Sequence, residues 1–188
     1  MISVVSELLH GLAPIVGDDP RILILGNMPS TISLASAQYY GNPRNAFWAI
    51  TAEVYGFDPT APYPQRTGAL AGNGVAVWDV LRSCRRVSSL DSAVQPDSMV
   101  GNDIAGFLTE HPNVEVMLFN GVAAAQNYRR LIHGGPALPS ARLPSTSPAH
   151  TMRYADKLSA WHAALTQASP STISLASRSD RPDSCRNS

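Results

Sequence analysis

Apolar residues along the chain form short continuous runs that alternate with stretches of helical spacing. Continuous runs are typical of strands buried on both faces, and they occur at 21–26, 75–81, 114–119 and, more weakly, 141–143. Apolar side chains three and four residues apart predict helices at 2–12, 47–55, 65–71, 103–110, 121–132 and 154–165. The alternation predicts an α/β protein with a mainly parallel sheet.

The helical spacing ends near residue 167, where the composition changes. Ser, Arg, Asp and Pro dominate beyond that point, so we expect one globular domain over 1–167 and a disordered tail over 168–188. The tail segment PSTISLAS at 170–177 repeats 29–36 without a mismatch. We favour a local duplication over a mimic of the 29–36 segment, because the tail copy lacks the YYGNP that follows soon after the first copy.

Charge is balanced, with 14 basic and 14 acidic side chains and a formal net charge of zero. This balance argues against strong non-specific binding to nucleic acid, which is mostly phosphate neutralisation. It leaves room for a small basic face. Lys157 is the only lysine, and the arginines cluster at 82, 85 and 86 and at 129 and 130. Each cluster fits either a phosphate contact or a solvated face.

Composition also excludes several classes of protein. Cys84 and Cys185 are the only cysteines, too few for an iron–sulfur cluster or a Cys-rich zinc site, and the histidines lack ligand spacing. We therefore expect no metal and no cofactor. No apolar run approaches the roughly 20 residues of a membrane helix. Residues 1–16 lack a basic leader, so we expect a helix there rather than a signal peptide, and a cytoplasmic protein.

The segment YYGNPRNAFW at 39–48 is the most informative part of the chain. Its second half holds two amides, a guanidinium and two aromatic rings in seven residues. Aromatic rings can stack on a flat base, amides can read its edge, and an arginine can contact a phosphate. Ligands of parallel sheets bind beyond the carboxyl ends of the strands, where the turn after Leu25, Asp79 and Asn120 all fall. These features predict a site for a flat polar ring at this edge.

Five motifs in this order resemble those of the uracil-DNA glycosylase superfamily. They are GNMPS at 26–30, the 39–48 segment, VWDVL at 77–81, FNG at 119–121 and LPSTSPA at 143–149. Within the superfamily they most resemble the hypoxanthine-DNA (deoxyinosine) glycosylase family. The resemblance covers about residues 21–161. It implies a three-layer α/β/α sandwich with a central, mainly parallel four-stranded sheet.

The resemblance also implies a function. The protein would be a base-excision repair glycosylase that hydrolyses the N-glycosidic bond of a deaminated base in DNA, with hypoxanthine favoured, and leaves an abasic site. It would act as a monomer on DNA, without a metal. No lysine lies within the motifs to form a Schiff base, so we expect a monofunctional enzyme without a lyase step. The motifs do not rank hypoxanthine, uracil and xanthine, nor single- against double-stranded DNA.

Asparagines are the candidate catalytic residues. An asparagine carbonyl can orient the attacking water, and its NH₂ group can donate to the departing base. Many superfamily members use an Asn or Asp of the first motif for the water, but Met28 stands there, as an apolar residue does in the hypoxanthine-type family. The role then passes to Asn45 as first candidate and Asn42 as second. Their alternative role is turn and cap chemistry around Pro43.

Base binding is assigned to Tyr40, Met28 and Asn120. Tyr40 is the candidate stacking platform, whereas ordinary core packing suits the neighbouring Tyr39 better. The resemblance implies that Asn120 reads the base edge and makes it a further catalytic candidate. Its alternative role is to cap the helix that follows.

DNA contacts are assigned to Arg44, Ser145, Ser147 and His150. Hydroxyl groups in the 143–149 motif can bind phosphate. Leu143 occupies a position that is polar in other branches but not in the hypoxanthine-type family. His150 stands where the family usually has Asn, so it fits either a phosphate contact or an exposed side chain.

Other functions stay open at this point. One is a uracil/thymine mismatch glycosylase. Another is a non-catalytic protein of the same fold that binds damaged bases, because Met28 and Leu143 leave two motif positions without a polar group and His150 departs from the family pattern. A serine hydrolase using Ser147 and His150 lacks the G-x-S-x-G nucleophile elbow.

Overall fold

The computed structural model describes residues 7–86 and 93–168. In chain order the strands are β1 Leu8–His10, β2 Ile22–Gly26, β3 Val75–Asp79, β4 Leu81–Arg85, β5 Val100–Gly101, β6 Val116–Asn120 and β7 Ser140–Leu143. The helices are α1 Thr31–Ser36, α2 Phe47–Tyr55, α3 Tyr63–Gly72, α4 Ile104–Glu110, α5 Val122–Leu131 and α6 Tyr154–Gln167, with a 3₁₀ turn at Pro96–Ser98.

Four parallel strands form the central sheet, in the order β3-β2-β6-β7. All five residues of β2 are buried, because this strand has a neighbour on each side and helices over both faces. Gly26 at the end of β2 pairs with Asp79 at the end of β3, and Asn120 at the end of β6 pairs with Leu143. The carboxyl ends of four strands therefore meet at one edge.

Each face of the sheet carries its own apolar core. On one face Leu23 and Leu25 of β2 pack with residues of α4 and α5, among them Phe107 and Ala124. The core on the other face is formed by the sheet together with α2, α3 and α6. Its residues include Ile22 and Ile24 of β2, Phe47 and Trp48 of α2, Leu70 of α3, and Trp161 and Leu165 of α6. The three-layer sandwich that the alternating pattern and the resemblance predicted is confirmed.

A second, three-stranded antiparallel sheet was not predicted. It has the order β1-β4-β5, and Leu8–His10 pairs with the β4 residues 83–85. The predicted helix over 2–12 is therefore wrong over its described part: Leu9 packs against one core from an extended strand. Residues 1–6 lie outside the described ranges. The apolar residues at 8, 9 and 12 fit a helical face, but pairing with β4 decides the conformation.

The predicted strand 75–81 is two strands. Its first part ends at Asp79, and β4 begins at Leu81 in the other sheet. The backbone N–H groups of Val80 and Leu81 donate to the carbonyls of Gly26 and Asn27. The buried Asn102 donates from Nδ2 to the carbonyl of Asp79 at 2.9 Å. These bonds fix the direction in which the chain leaves the central sheet.

The remaining elements lie close to their predicted positions. The helix predicted over 103–110 is α4, and Asp103 caps its N-terminus, because Asp103 Oδ1 accepts from Gly106 N at 2.8 Å. Helix α1 was not predicted, and Ser30 caps it by accepting from Ser33 N at 3.1 Å. No helix within the described ranges is long and apolar enough to cross a bilayer. The predicted tail lies outside those ranges apart from Ala168, which caps the end of α6.

Candidate active site

A cavity of about 400 Å³ opens at the carboxyl ends of β2, β3 and β6. Three segments form most of its wall: the turn 26–30, the recognition loop 39–46 and the hydroxyl loop 144–149. Ser33, Asp79 and Asn120 complete the wall. The structure thus brings together segments more than 100 residues apart, at the edge where the strand ends place them.

Gly26 lets a carboxylate enter the wall of this cavity. Gly26 and Asp79 are paired neighbours across β2 and β3. A Cβ built on Gly26 would overlap Asp79 Oδ1 and would lie 3.4 Å from the Tyr40 hydroxyl. Asp79 is 4% exposed and lines the cavity. Glycine is therefore required here by a close approach of side chains rather than by its backbone angles.

Tyr39 and Tyr40 face different surroundings. Tyr39 is buried, as expected for a core residue, and its hydroxyl donates to the carbonyl of Leu12 at 3.2 Å. Burial raises the pKa of the Tyr39 phenol above its usual value, and the negative charge of Asp79 raises it further. The proton of Tyr39 therefore stays in place at any physiological pH.

Tyr40 is half-buried and has a left-handed backbone, with φ at 54°. Its ring stacks on Phe47, with centroids 3.8 Å apart and planes 20° from parallel. Neighbouring bonds hold this uncommon conformation, since Gly41 N donates to Ser33 Oγ and Trp48 Nε1 donates to the Tyr39 carbonyl. Phe47 covers one face of the Tyr40 ring, so a base can stack only on the other.

Asn120 joins the end of β6 to two of the segments around the cavity. Its Nδ2 donates to the Tyr40 hydroxyl at 3.1 Å and to Thr146 Oγ1 at 2.9 Å. Its Oδ1 accepts from Thr146 N at 2.9 Å. Both N–H donors are thus in use, and one acceptor position of Oδ1 is left for a ligand. The alternative role as helix cap is wrong, because α5 begins after Gly121 and has no side-chain cap.

Asn42 and Asn45 combine turn chemistry with a place in the cavity wall. Asn42 Oδ1 accepts from Arg44 N, and Asn45 Oδ1 accepts from Phe47 N, each at 3.0 Å. Both residues also line the cavity. Within 7–86 and 93–168 neither Nδ2 group has a hydrogen-bond partner. The turn and cap bonds therefore fix each carbonyl oxygen toward the backbone and leave each NH₂ group able to donate.

The turn 26–30 contributes an apolar surface and a buried amide. Met28 is 7% exposed and lines the cavity, where the resemblance had assigned it to base binding. Asn27 is 6% exposed, and its Oδ1 accepts from Asn127 Nδ2 of α5 at 2.8 Å. The buried Arg86 donates from Nη2 to the carbonyl of Pro29 at 2.7 Å. The turn is thus anchored from two sides.

The hydroxyl loop turns its carbonyl groups toward the protein. Trp161 Nε1 donates to the carbonyl of Pro144 at 2.9 Å, and Ala46 N donates to that of Thr146 at 3.0 Å. Lys157 Nζ donates to the carbonyl of Ser147 at 3.0 Å. Ser145 Oγ and Ser147 Oγ accept from the N–H groups of Ser147 and Ala149, each at 3.2 Å.

The four residues assigned to DNA contacts do not all lie in one place. Arg44, Ser145 and Ser147 line the cavity, and Arg44 is exposed. His150 is exposed and lies outside the cavity wall, with its backbone N–H bonded to the carbonyl of Ser147 at 3.1 Å. Among the described residues there is no group of three or more His, Cys, Asp or Glu side chains that could hold a metal ion.

Sequence reasoning gave too little weight to two residues. Asp79 is predicted to lie near a strand end, where its carboxylate could cap a loop, pair with an arginine or position a water, and nothing local indicates that Gly26 makes room for it. Thr146 was one hydroxyl among several in its motif, yet it holds both ends of the Asn120 amide. Such partners are 26 to 80 residues apart in sequence and leave no local pattern.

Comparison with known proteins gives a consistent result. A family model described as the uracil DNA glycosylase superfamily matches residues 14–168. A protein of Methanosarcina barkeri (strain Fusaro / DSM 804) named hypoxanthine DNA glycosylase is 32% identical over 113 residues, which are 60% of this chain and 70% of that protein. One of the same name from Methanosarcina acetivorans is 31% identical over 155 residues, or 82% of this chain and 96% of that protein.

A solved structure is also similar. It is the solution NMR structure of a candidate uracil DNA glycosylase from Methanosarcina acetivorans. The TM-score is 0.73 at 29% sequence identity, and the match covers 86% of this chain and 99% of the other.

Replacement of Gly26 by alanine tests the geometry of the cavity wall. Because the added Cβ overlaps Asp79 Oδ1, we expect Gly26→Ala to lower the free energy of unfolding by about 1–3 kcal/mol. Gly68→Ala in α3 is the matched control, since a Cβ there meets no atom within 4 Å. It should raise stability by about 0.5–1 kcal/mol. Urea unfolding measures both, and a Gly26→Ala variant as stable as the control would contradict the close approach.

Proposed function

The chain belongs to the uracil DNA glycosylase superfamily, and we propose that within it the protein is a monofunctional DNA glycosylase that removes hypoxanthine from deoxyinosine. Membership rests on the family match over residues 14–168, and DNA glycosylase activity follows from it and from both named relatives. The resemblance read from the motifs is confirmed at this level. The choice of base is the proposal, and both relatives carry hypoxanthine in their names.

One observation carries the proposal: three motif segments and two strand ends form one cavity of about 400 Å³. Pockets of about 300–1,000 Å³ are usual for small ligands. A duplex keeps its bases stacked, so the deoxyinosine must be flipped out of the helix to enter. The open face of Tyr40 then stacks on the base, and Met28 provides an apolar contact.

The reaction breaks the bond between C1′ of the sugar and N9 of hypoxanthine. The sugar gains oxocarbenium character as the base leaves with the bonding electron pair. The oxygen of a water molecule bonds to C1′, and the proton that this water releases ends on the departing base. The enzyme lowers the barrier by orienting the water and by donating to the leaving base. We assign the water to Asn45 first and to Asn42 second, because both line the cavity and each Oδ1, fixed by one backbone N–H, keeps a second acceptor position for a water hydrogen.

We assign recognition of the base edge to Asp79. Hypoxanthine carries a hydrogen on N1, whereas adenine presents a lone pair at that position. A carboxylate is an acceptor only, so it can accept the N1–H of hypoxanthine and repels the adenine lone pair. Asn120 contributes its remaining acceptor position and holds the Tyr40 hydroxyl. Uracil also presents an N–H, so Asp79 does not separate uracil from hypoxanthine.

A monofunctional reaction fits the position of the only lysine. Lys157 lies outside the cavity wall, and its Nζ is bonded to the carbonyl of Ser147. It is therefore not placed to form a Schiff base with the sugar. We also propose that the protein acts as a monomer, as the resemblance implies.

The activity test uses the purified chain in EDTA with duplexes that each carry one inosine, uracil or xanthine. Hot alkali then cleaves the strand at abasic sites. We expect cleavage at inosine, because both named relatives carry hypoxanthine in their names. Cleavage at uracil alone would move the chain to another branch of the superfamily. Saturable binding to the inosine duplex without cleavage would favour the non-catalytic binder that Met28 and Leu143 suggest.

Single-turnover rates test the asparagines. We expect Asn45→Ala to lower the excision rate at saturating enzyme by about 10²–10³-fold, and Asn42→Ala by about tenfold, because each loses a preorganised polar group. Asn113→Ala is the control: its Nδ2 bonds to Asp19 Oδ1 and it lies outside the cavity. The order of the two candidates is reversed if Asn42→Ala is the slower variant.

Substitution of Asp79 tests recognition of the base edge. We expect Asp79→Asn to slow excision of hypoxanthine by about tenfold or more, since a charged acceptor is replaced by a neutral amide. The selectivity for hypoxanthine over adenine should fall in parallel, because an amide NH₂ can donate to the adenine lone pair. An Asp79→Asn variant that excises hypoxanthine at the unaltered rate, or that loses this activity without any relative gain for adenine, would contradict this role and leave Asp79 a structural group.

A further inference from the structure

The chain's only lysine is buried beneath the hydroxyl loop. Lys157 is 5% exposed and lies in the first turns of α6, with Nζ 3.0 Å from the carbonyl oxygen of Ser147. None of the ion pairs of the described residues includes it. Burial lowers the pKa of its ammonium group below the usual value. A buried charge without an opposite charge is costly to the fold, so its presence calls for a reason.

A hydrogen bond that only holds the hydroxyl loop to α6 does not need a charged donor. One turn further along α6, the neutral Trp161 makes the same kind of bond, from Nε1 to the carbonyl of Pro144 at 2.9 Å. The two side chains lie four residues apart on one face of the helix and hold the two ends of one loop. Trp161 therefore holds the loop by a neutral hydrogen bond alone, and the effect of removing that bond is the reference for the effect of removing the charge of Lys157.

The bonds of the loop determine which groups face the solvent. The carbonyls of Pro144, Thr146 and Ser147 all accept from donors inside the protein. Ser145 Oγ and Ser147 Oγ each accept a loop N–H, and among the described residues neither donates. Their hydroxyl hydrogens are thus left for a ligand. The negative ends of these carbonyl dipoles therefore point into the protein, that of Ser147 directly at Lys157 Nζ, and the two hydroxyls offer donors to an anion.

The turn 26–30, on the other rim of the cavity, is held in a similar way. Arg86 is 5% exposed, and its Nη2 donates to the carbonyl of Pro29 at 2.7 Å. Each rim therefore has a buried cation behind a backbone carbonyl. In a chain with a formal net charge of zero, this places positive charge close to the cavity mouth without exposing it.

We propose that Lys157 is a positioning residue for DNA binding, whose buried charge makes the hydroxyl loop a phosphate-binding surface beside the cavity. The ligand is a phosphate of the DNA strand, held by the hydroxyls of Ser145 and Ser147. Lys157 acts through the loop and does not touch the phosphate. The inference rests on the proposed function for its ligand. It concerns binding, so it can be tested without base excision.

The test measures the Kd of the full chain for a fluorescent duplex that carries a tetrahydrofuran abasic-site analogue, at several salt concentrations. Lys157→Gln keeps a donor for the Ser147 carbonyl but has no charge, and Lys157→Arg keeps both. Trp161→Phe removes the neutral anchor alone. Thermal unfolding of each variant reports the structural cost separately, and Lys157→Met serves as a second uncharged variant if Lys157→Gln does not fold.

We expect Lys157→Gln to raise Kd about tenfold at low salt, with a smaller ratio at high salt because ions screen the lost attraction. Lys157→Arg should bind within about threefold of the unaltered chain, since the charge is retained. Trp161→Phe should change Kd by the same factor at every salt concentration, because it removes no charge. The single-turnover excision rate at saturating enzyme should stay within about threefold for Lys157→Gln, because chemistry does not use this residue.

Two results would overturn the proposal. One is a Lys157→Gln variant that binds as tightly as the unaltered chain. The other is a loss of binding that matches Trp161→Phe at all salt concentrations, which would make Lys157 a mechanical anchor only. If the chain excises no base but the Kd values follow the expected order, the proposed function fails and the phosphate surface stands.

Discussion

The hydrogen bonds of the Asn120 amide are the interaction on which the rest of the site depends. They join the end of β6 to the Tyr40 hydroxyl on one side and to Thr146 on the other. The neighbouring bond from Ala46 N to the Thr146 carbonyl connects the same two loops a second time. Loops of this length have little stability of their own, so the strand end and its amide set the distance between the stacking ring and the hydroxyl loop.

Aromatic packing also holds the recognition loop and the hydroxyl loop in place. Phe47 stacks on Tyr40 and meets Trp161 edge to face, with centroids 6.2 Å apart. Trp161 in turn bonds to the carbonyl of Pro144. One buried column therefore connects the recognition loop, α2, α6 and the hydroxyl loop. Rigid support of this kind holds a site close to its reactive geometry before the substrate arrives, which is how enzymes gain from preorganised dipoles.

The sequence predicted much of the fold because its strongest signals are local. The buried runs at 21–26 and 114–119 and the helical spacing at 47–55 need no distant partner to be recognised, and the order of elements then implies a parallel sheet. The prediction from the sequence is wrong at the N-terminus, where the pairing of Leu8–His10 with β4 overrides a helical pattern of apolar residues. The small antiparallel sheet depends on contacts about 75 residues apart in sequence, which no local pattern reveals.

In the candidate site, too, the local features could be predicted from the sequence and the long-range contacts could not. The residue types at 39–48 and the strand ends pointed to the edge of the sheet where the cavity lies, and Tyr40, Asn42, Asn45 and Asn120 all line that cavity. Their bonding could not be predicted. Only the folded chain shows that Asn120 uses both of its N–H donors, and that Gly26 admits the carboxylate of Asp79. The assignment of individual catalytic roles to these residues stays a prediction.

The most direct measurement is a crystal structure of the chain bound to a duplex that carries 2′-fluoro-2′-deoxyinosine, whose fluorine slows cleavage of the glycosidic bond. Our account predicts a flipped hypoxanthine that lies against the open face of Tyr40, with its N1 toward Asp79 and with a phosphate at the hydroxyls of Ser145 and Ser147. A hypoxanthine that stays stacked in the duplex, or that binds outside the cavity, would contradict the account.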